Sequence, residues 1–340
     1  MKFGIVGLGW PGQQHVQAIH AHESEAILSA VCDLDESKVK AFEGKCDTFT
    51  DIDRFFAEAD MDTVVLAVPH QLHETLAVRA LNLGKHVLIE KPMARTSEEC
   101  KNMIDAAEKN NKTLMVAQNW RYQPWCIAAK AIIESGELGN IQAVRTEWLL
   151  NFRDAFPKGN WIYNGELAGG GAITSLAIHN VDALRFIIGE VEEVYTNQLY
   201  TDDWSTNGAE NWAMVQMKFE NGALGHLFTG YTPFFPPDNG MLQVYGDKGT
   251  MFFGPHQGET GLWIRSAKRS VNPNAGYERV DEAKYAAGLV EHPQTNQLKH
   301  FIDSVNSQTR PESDGREIIK TIELVEMMYD SGNKGTPLKK

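Results

Sequence analysis

The sequence predicts an α/β protein of two domains, the first built on a doubly wound parallel sheet. Three observations predict it. Short apolar runs alternate with helical patterns through residues 3–117, and repeated βα units imply parallel strands joined by right-handed crossovers. From residue 141 onward, strand-like runs dominate. At 340 residues the chain exceeds what one hydrophobic core usually serves. The expected division is 1–122 and 123–340.

Phe3 to Val6 reads as the first strand. Gly7-Leu8-Gly9-Trp10-Pro11-Gly12 follows at once, then a helical pattern through Val16 and Ile19. This is the Gly-x-Gly-x-x-Gly fingerprint in its strand–turn–helix context. The first glycine permits the tight turn, the second lets backbone approach a pyrophosphate, and the third lets helix pack on strand. The helix N-terminus adds roughly half a positive charge. A second strand, Ile27 to Cys32, ends in Asp33, roughly twenty residues past the last glycine. A carboxylate there accepts hydrogen bonds from ribose hydroxyls and repels a 2′-phosphate; the alternative is a turn residue. Leu34 and Asp35 offer a phosphate no cation, so NAD is favoured over NADP. Pro11 suits the first helical position but has no N–H, leaving the amides of Trp10 and Gly12 to bind the anion. The proline restricts Trp10 to extended conformations. Two roles stay open for Trp10: covering the nicotinamide, or packing on a domain interface.

The alternation continues with a strand at Thr63 to Val68, a helix from Pro69-His70-Gln71-Leu72-His73 to Leu83, and a strand at Val87 to Ile89. Thr96-Ser97-Glu98-Glu99 is a capping box opening another helix, and Leu114 to Ala117 is again a strand. The strand at Val87 to Ile89 ends in Glu90-Lys91-Pro92. Ligands of parallel α/β sheets bind outside the carboxyl ends of the strands, so a lysine there can reach a reacting atom. Pro92 keeps Lys91 out of the helical region. Taken alone, Lys91 is equally a surface lysine at a strand end.

Composition bounds the partners. With 42% hydrophobic and 23% charged residues, the chain reads as an ordinary soluble protein. A net charge of −13 argues against nucleic acid or an anionic membrane as partner. Cys32, Cys46, Cys100 and Cys126 show no metal-ligand spacing, and dispersed thiols suggest a reducing compartment. Strand-like residues begin at Lys2, which leaves no room for a signal peptide, and no apolar run is long enough to span a bilayer. A cytoplasmic location is expected. His292 and His300 show no metal pattern, and no metal site is expected.

Together, several segments resemble the Gfo/Idh/MocA family of nicotinamide-dependent oxidoreductases along nearly the whole chain. They are the glycine turn with His15 after it, Val68 to His73, Gly84-Lys85-His86-Val87-Leu88-Ile89-Glu90-Lys91-Pro92, and Asn119-Trp120-Arg121-Tyr122-Gln123-Pro124. Further along come Gly169-Gly170-Gly171 with His179 and Asp182, and Asp314-Gly315-Arg316 through Glu326 and Ser331 to Pro337. The resemblance implies a Rossmann domain followed by an α/β domain with a large, open, mostly antiparallel sheet, used for substrate binding and for homodimer or homotetramer formation. Strand candidates at 141–150, 191–199, 212–219, 223–231, 242–245 and 249–253 agree, with Asn221-Gly222 as a hairpin signal. The resemblance extends the expected cofactor contacts beyond the glycine turn and Asp33 to Val68, Pro69, His70, His73, Glu90, Lys91 and Gln118. His70 and His73 look like a metal pair, but at a helix start they are read as cofactor contact and packing.

Gly169 to Gly171 precede a helix-like run from Ile173 to Phe186, on which Ser175, His179 and Asp182 share one face. In the family that face carries the proton-transfer histidine, and by motif His179 and Lys91 are the catalytic pair. An imidazole titrates near ~6.5, suited to taking a hydroxyl proton, and the lysine stabilises developing alkoxide charge. Asp182 is expected to orient or cap. Ser175 departs from the family, whose dehydrogenases often have aspartate four before the histidine; this weakens an inositol-type assignment. Arg153, Trp161 and Tyr163 precede the glycine triplet, where similar proteins bind substrate, and an aromatic face beside an arginine suits a pyranose ring. Trp161 is equally a core residue. Arg121 either binds substrate or braces the domain junction.

The preferred function is transfer of a hydride between NAD and a secondary alcohol of a sugar, sugar derivative or cyclitol. The alternatives are a glycoside hydrolase or lyase of the same family that recycles its NAD, and a non-catalytic dinucleotide-sensing regulator.

Overall fold

The computed structural model describes residues 1–201, 203–234, 241–272 and 274–340. The first half runs β1 (Lys2–Val6), α1 (Trp10–Ala21), β2 (Ile27–Cys32), α2 (Glu36–Lys40), β3 (Asp47–Phe49), α3 (Ile52–Glu58), β4 (Thr63–Leu66), α4 (His73–Asn82), β5 (His86–Ile89), α5 (Ser97–Lys109) and β6 (Leu114–Val116). Its six strands form a sheet of order β3-β2-β1-β4-β5-β6, parallel throughout. The order reverses beside β1, and the crevice at such a switch point is where ligands of doubly wound sheets bind. Both faces are covered, so the central strands are apolar without alternation: Val64, Val65, Leu66, Val87, Leu88 and Ile89 have no exposed surface. Thr96 caps α5 by accepting the Glu99 N–H, as the capping box predicts. Glu99 itself turns to Arg95, one residue further out.

The second half continues with α6 (Pro124–Glu134), β7 (Ile141–Leu149), α7 (Gly165–Ala168), a π-helical turn (Ile173–Ala177), α8 (Ile178–Ile187), β8 (Val191–Leu199), β9 (Trp212–Phe219) and β10 (Leu224–Gly230). It closes with β11 (Leu242–Gly246), β12 (Gly249–His256), β13 (Glu259–Ser266), β14 (Glu278–Arg279), α9 (Pro293–Ser307), α10 (Gly315–Lys334) and β15 (Leu338–Lys339). The nine-stranded sheet has the order β14-β13-β12-β11-β7-β10-β9-β8-β15. All its pairings are antiparallel except β10 on β7. The hairpin at Asn221-Gly222 closes through Gly222 N–H on the Phe219 carbonyl. Only Gly222 takes a positive φ there, which marks a turn ending in a left-handed glycine rather than a two-residue loop.

The chain forms two compact units, Met1–Tyr122 with His292–Ile322, and Gln123–Glu291 with Glu323–Lys340. The sequence division at 122/123 differs from this in residues 292–322, which return to the first unit. The physical reason is the apolar face of α9: Leu298, Phe301 and Ile302 are buried in one cluster with Phe3, Ile5, Val16 and Ile19.

Candidate active site

In the first unit the glycine turn meets three different needs. A Cβ on Gly7 (φ +90°) would lie 2.2 Å from the Ala67 carbonyl oxygen, and one on Gly12 would lie 2.0 Å from the Gly7 oxygen. Both glycines are required by packing. A Cβ on Gly9 would meet only Pro11 Cδ, at 3.8 Å, so nothing in the protein demands a glycine there and backbone is left open to approach. Trp10 is the first residue of α1. The expected extended conformation at Trp10 is corrected: the residue before a proline is disfavoured in the helical region, not barred from it. Pro11 sits one place later than expected, still within the turn whose N–H groups lack helix partners. Trp10 is 72% exposed and packed into no core.

Asp33 is largely committed to the turn. Its Oδ2 accepts the Leu8 N–H at 2.7 Å and its Oδ1 the Asp35 N–H at 2.9 Å. Lys38 Nζ lies 3.5 Å from Oδ2. The cation that Leu34 and Asp35 do not offer is Lys38, which α2 brings back one turn after Asp35.

At the carboxyl ends of β4, β5 and β6 the polar residues gather. Glu90 continues the ladder, its N–H on the Leu66 carbonyl, and its Oε1 lies 2.8 Å from His15 Nε2. Burial would raise the Glu90 carboxyl, but the His15 hydrogen bond and charge, then Lys91, bring it below the ordinary value. Burial lowers the Lys91 ammonium, with Glu90 pulling the other way. The Lys91–Pro92 peptide is cis. Gln118 is wholly buried with neither side-chain amide atom hydrogen-bonded, and Gln71 Oε1 and Asn119 Oδ1 are also buried and unpaired. Val68 and Pro69 lead from β4 into a short 3₁₀ turn, His70–Leu72.

The expected cofactor contact at His73 is corrected. Its ring has no exposed surface. Nε2 lies 2.9 Å from the Val68 carbonyl oxygen and Nδ1 2.8 Å from that of Pro92, so the imidazole staples the loops after β4 and β5. Burial lowers its pKa, against those carbonyls. His70 packs edge-on against it, ring centroids 5.6 Å apart. Arg121 is likewise committed within its own unit, at 3% exposure. It donates to the Glu312 carbonyl at 3.0 Å and pairs with Glu317 at 3.5 Å, which corrects the expectation of substrate contact.

In the second unit the predicted single helix over Ile173 to Phe186 is a π-helical turn followed by α8. Ser175 lies in the π turn, His179 and Asp182 in α8, all buried. The wider turn shifts Ser175 off the α-helical face it was expected to share. Such π segments are frequent at functional sites. The His179 ring packs against Trp148 of β7, centroids 5.3 Å apart. The helix start is held by Glu210 and Tyr329, neither evident from the sequence. Glu210 accepts the N–H groups of Gly171 (2.7 Å) and Ile173 (2.6 Å), and Tyr329 OH donates to it at 3.0 Å. A Cβ on Gly170 would lie 2.1 Å from Tyr329 Oη, and one on Gly171 2.0 Å from the Glu210 carbonyl oxygen. Gly169 ends α7 in the left-handed region, at φ 79°, so each of the three glycines has its own reason.

Tyr163 is a core residue, 1% exposed, its hydroxyl on the Phe156 carbonyl. This corrects its expected substrate role. It forms an aromatic cluster with Phe152 and Tyr231, against which Trp161, Trp148 and Trp204 pack. Arg153 places its guanidinium 5.3 Å from the Trp204 ring centre. Among the described residues no group of three His, Cys, Asp or Glu could hold a metal ion, and no helix is long and apolar enough to cross a membrane.

The strand order, with a glycine turn at the switch point and an acid ending the next strand, defines a dinucleotide-binding Rossmann domain. The residues fit such a group: open backbone at Gly9, and unpaired buried amides beside Lys91. Comparison with known proteins carries this further. The family model described as the oxidoreductase family with NAD-binding Rossmann fold matches residues 1–118, and that of the Gfo/Idh/MocA C-terminal domain matches residues 126–252. The chain belongs to the Gfo/Idh/MocA family of NAD-dependent oxidoreductases. It is 29% identical over 96% of its length to the 1-carboxy-3-chloro-3,4-dihydroxycyclohexa-1,5-diene dehydrogenase of Comamonas testosteroni, covering 81% of that protein. It is 27% identical over 74% of its length to levoglucosan dehydrogenase of Pseudarthrobacter phenanthrenivorans, covering 73% of it. The structure of the WlbA dehydrogenase from Bordetella pertussis, in complex with NADH and UDP-GlcNAcA, superposes with a TM-score of 0.83 at 25% identity, covering 100% of this chain and 98% of that one.

Proposed function

We propose that this protein transfers a hydride between NAD and a ring carbon bearing a secondary hydroxyl, on a sugar, sugar derivative or cyclitol. The observation that carries the reading is the set of unpaired buried side-chain amides, Gln118 foremost, on the same sheet edge as Lys91. A buried polar group left unpaired costs about 1–3 kcal/mol, and a carboxamide-bearing ligand at that edge would recover it. NAD, when bound, accepts or returns the hydride. The glycine turn and the first-turn amides of α1 would hold its pyrophosphate, and Asp33 its ribose. Lys91 would stabilise charge developing on the substrate oxygen. His179 would take the hydroxyl proton. The substrate class rests on the relatives, whose names join an anhydro sugar, a dihydroxylated six-membered carbocycle and a sugar nucleotide. Homodimers or homotetramers would form through the nine-stranded sheet, on whose strands Met214, Leu224 and Tyr245 stand exposed. None of the four cysteines is in a disulfide, in keeping with a cytoplasmic location.

The test is a panel of sugars, sugar acids and inositols with NAD and NADP, followed by nicotinamide absorbance. Net NAD reduction with a ring polyol supports the reading. Substrate turnover with no net absorbance change would replace it with the NAD-recycling alternative.

A further inference from the structure

We infer that Glu210 is a positioning residue for His179: as a carboxylate, it ties down the start of the helical segment that carries Ser175 and His179. The inference rests on the role proposed above for His179. All the parts lie in one unit. Glu210 comes from the chain between β8 and β9 and is completely enclosed. Its Oε2 receives the Gly171 N–H and its Oε1 the Ile173 N–H, at 2.7 and 2.6 Å. Its carbonyl oxygen takes the Ala172 N–H at 3.0 Å, so three consecutive amides at the head of the π turn reach this one residue, that of Gly171 shared with Tyr329 Oη at 2.9 Å. Tyr329 OH lies 3.0 Å from both carboxylate oxygens. Among the described residues no cation pairs with Glu210. The titratable groups near it are Tyr329 of α10 and Tyr200 after β8, both raised by burial and by the Glu210 charge.

Every hydrogen bond the carboxylate receives comes from a donor, so the arrangement favours the ionised form. A proton on either oxygen would face an N–H that already points there. Either an amide lets go, or Tyr329 must reverse its hydrogen bond. Burial pushes the Glu210 carboxyl up to about 7, against the hydrogen bonds from Ile173, Tyr329 and Gly171. Around neutrality, therefore, the chain exchanges a tied helix start for a loosened one, and the effect falls on the segment presenting His179. Ser175 N–H, on the Gly171 carbonyl at 2.9 Å, links the tied glycine directly to the serine.

The test is hydrogen–deuterium exchange of the peptides covering 171–182 in the full chain, from pH 5.5 to 8.5, corrected for intrinsic rates. Protection should rise about tenfold as pH increases through the Glu210 titration. In Glu210→Gln it should be low and without that inflection. In Tyr329→Phe the inflection should move to higher pH, because a hydrogen bond favouring the carboxylate is gone. With a reducible pair in hand, kcat should follow the same inflection while KM for NAD stays unchanged. Wild-type protection that is flat with pH overturns the inference, as does a Glu210→Gln profile matching the wild type. If Glu210→Gln does not fold, an unmoved inflection in Tyr329→Phe overturns it instead. Exchange that behaves as stated, in a protein that reduces no NAD with any polyol, overturns the dehydrogenase reading and with it the link to catalysis, while the anchoring of the helix start by Glu210 stands.

Discussion

Lys91 stands two residues past a strand with no exposed apolar surface, and burial lowers its ammonium against the pull of Glu90. The role proposed for it is to stabilise charge developing on a reacting oxygen. Lys91→Ala is expected to cut kcat by about 10²–10⁴-fold, while NADH binding, measured by fluorescence titration, stays near the wild-type value. Turnover close to wild type would remove Lys91 from the chemistry. Asp33 leads to a different expectation because Lys38 stands 3.5 Å away. Asp33→Ser removes the charge that repels a 2′-phosphate and frees Lys38 to meet one. NADPH should then bind about tenfold more tightly, as one charge-assisted hydrogen bond allows, with NADH weakened. Equal binding of both cofactors by the parent would show that Asp33 does not select between them. The acid that ends β2 was legible from its spacing to the glycine turn. Lys38 was not, because only the helix beginning at Glu36 brings it back over Asp33.

The strands and helices that position these residues were legible where burial is patterned along the chain. Strand candidates fell on β2, β8 and β9 with the observed ends; β2 runs into Asp33 and β9 into the Asn221-Gly222 turn. The short edge strands β3, β14 and β15 carry too few residues to show a period. β13 buries four consecutive residues, Gly261 to Ile264, and so lacks the alternation of a one-sided strand. The π turn was illegible for a related reason: Ile173 to Ala177 is buried all round, so no polar stripe records its pitch. Its anchors, Glu210 and Tyr329, lie 39 and 158 residues from Gly171 and are joined to it only by the fold. The glycines were visible, but the reason for them was not. That reason makes a test. Gly171→Ala drives a methyl into the Glu210 backbone and should cost roughly 3 kcal/mol or more. Gly159→Ala, at φ +86° with nothing within 4 Å, should cost only about 1–2 kcal/mol of left-handed strain. Thermal or urea unfolding checks the contrast; equal losses would mean that Gly171 is not required by packing on Glu210.

Across the whole molecule, half-buried histidines that accept backbone N–H groups set an acid limit on stability. His86 Nδ1 accepts the Thr113 N–H at 3.1 Å, and His300 Nε2 accepts that of Glu312 at 2.9 Å. An imidazolium can do neither. Burial lowers both rings, His86 to about 4 with Lys112 adding to the effect. Stability rises with pH wherever the unfolded state binds more protons. Below about 6.5 the unfolded chain protonates these rings and the folded chain does not, so their contribution is present above that pH and is lost as pH falls toward the folded value. For His86 the full gap is worth about 3 kcal/mol, reduced to roughly 1–2 because the ring is only half buried. Glu210 works in the opposite sense. Its raised carboxyl keeps its proton in the folded state up to about 7, so its term falls as pH rises from the ordinary carboxyl range. The two slopes partly cancel in the wild type, and the total profile does not isolate either. The difference between wild type and His86→Gln does, because glutamine still offers Thr113 an acceptor but does not titrate. Urea unfolding of both proteins from pH 7.5 to 4.5 should show the wild type losing stability relative to the variant by about 1–2 kcal/mol, with most of the change below pH 6.5. A difference that stays constant over that range would mean the folded ring takes up its proton as readily as the unfolded one, and the acid limit would have to come from the carboxylates instead.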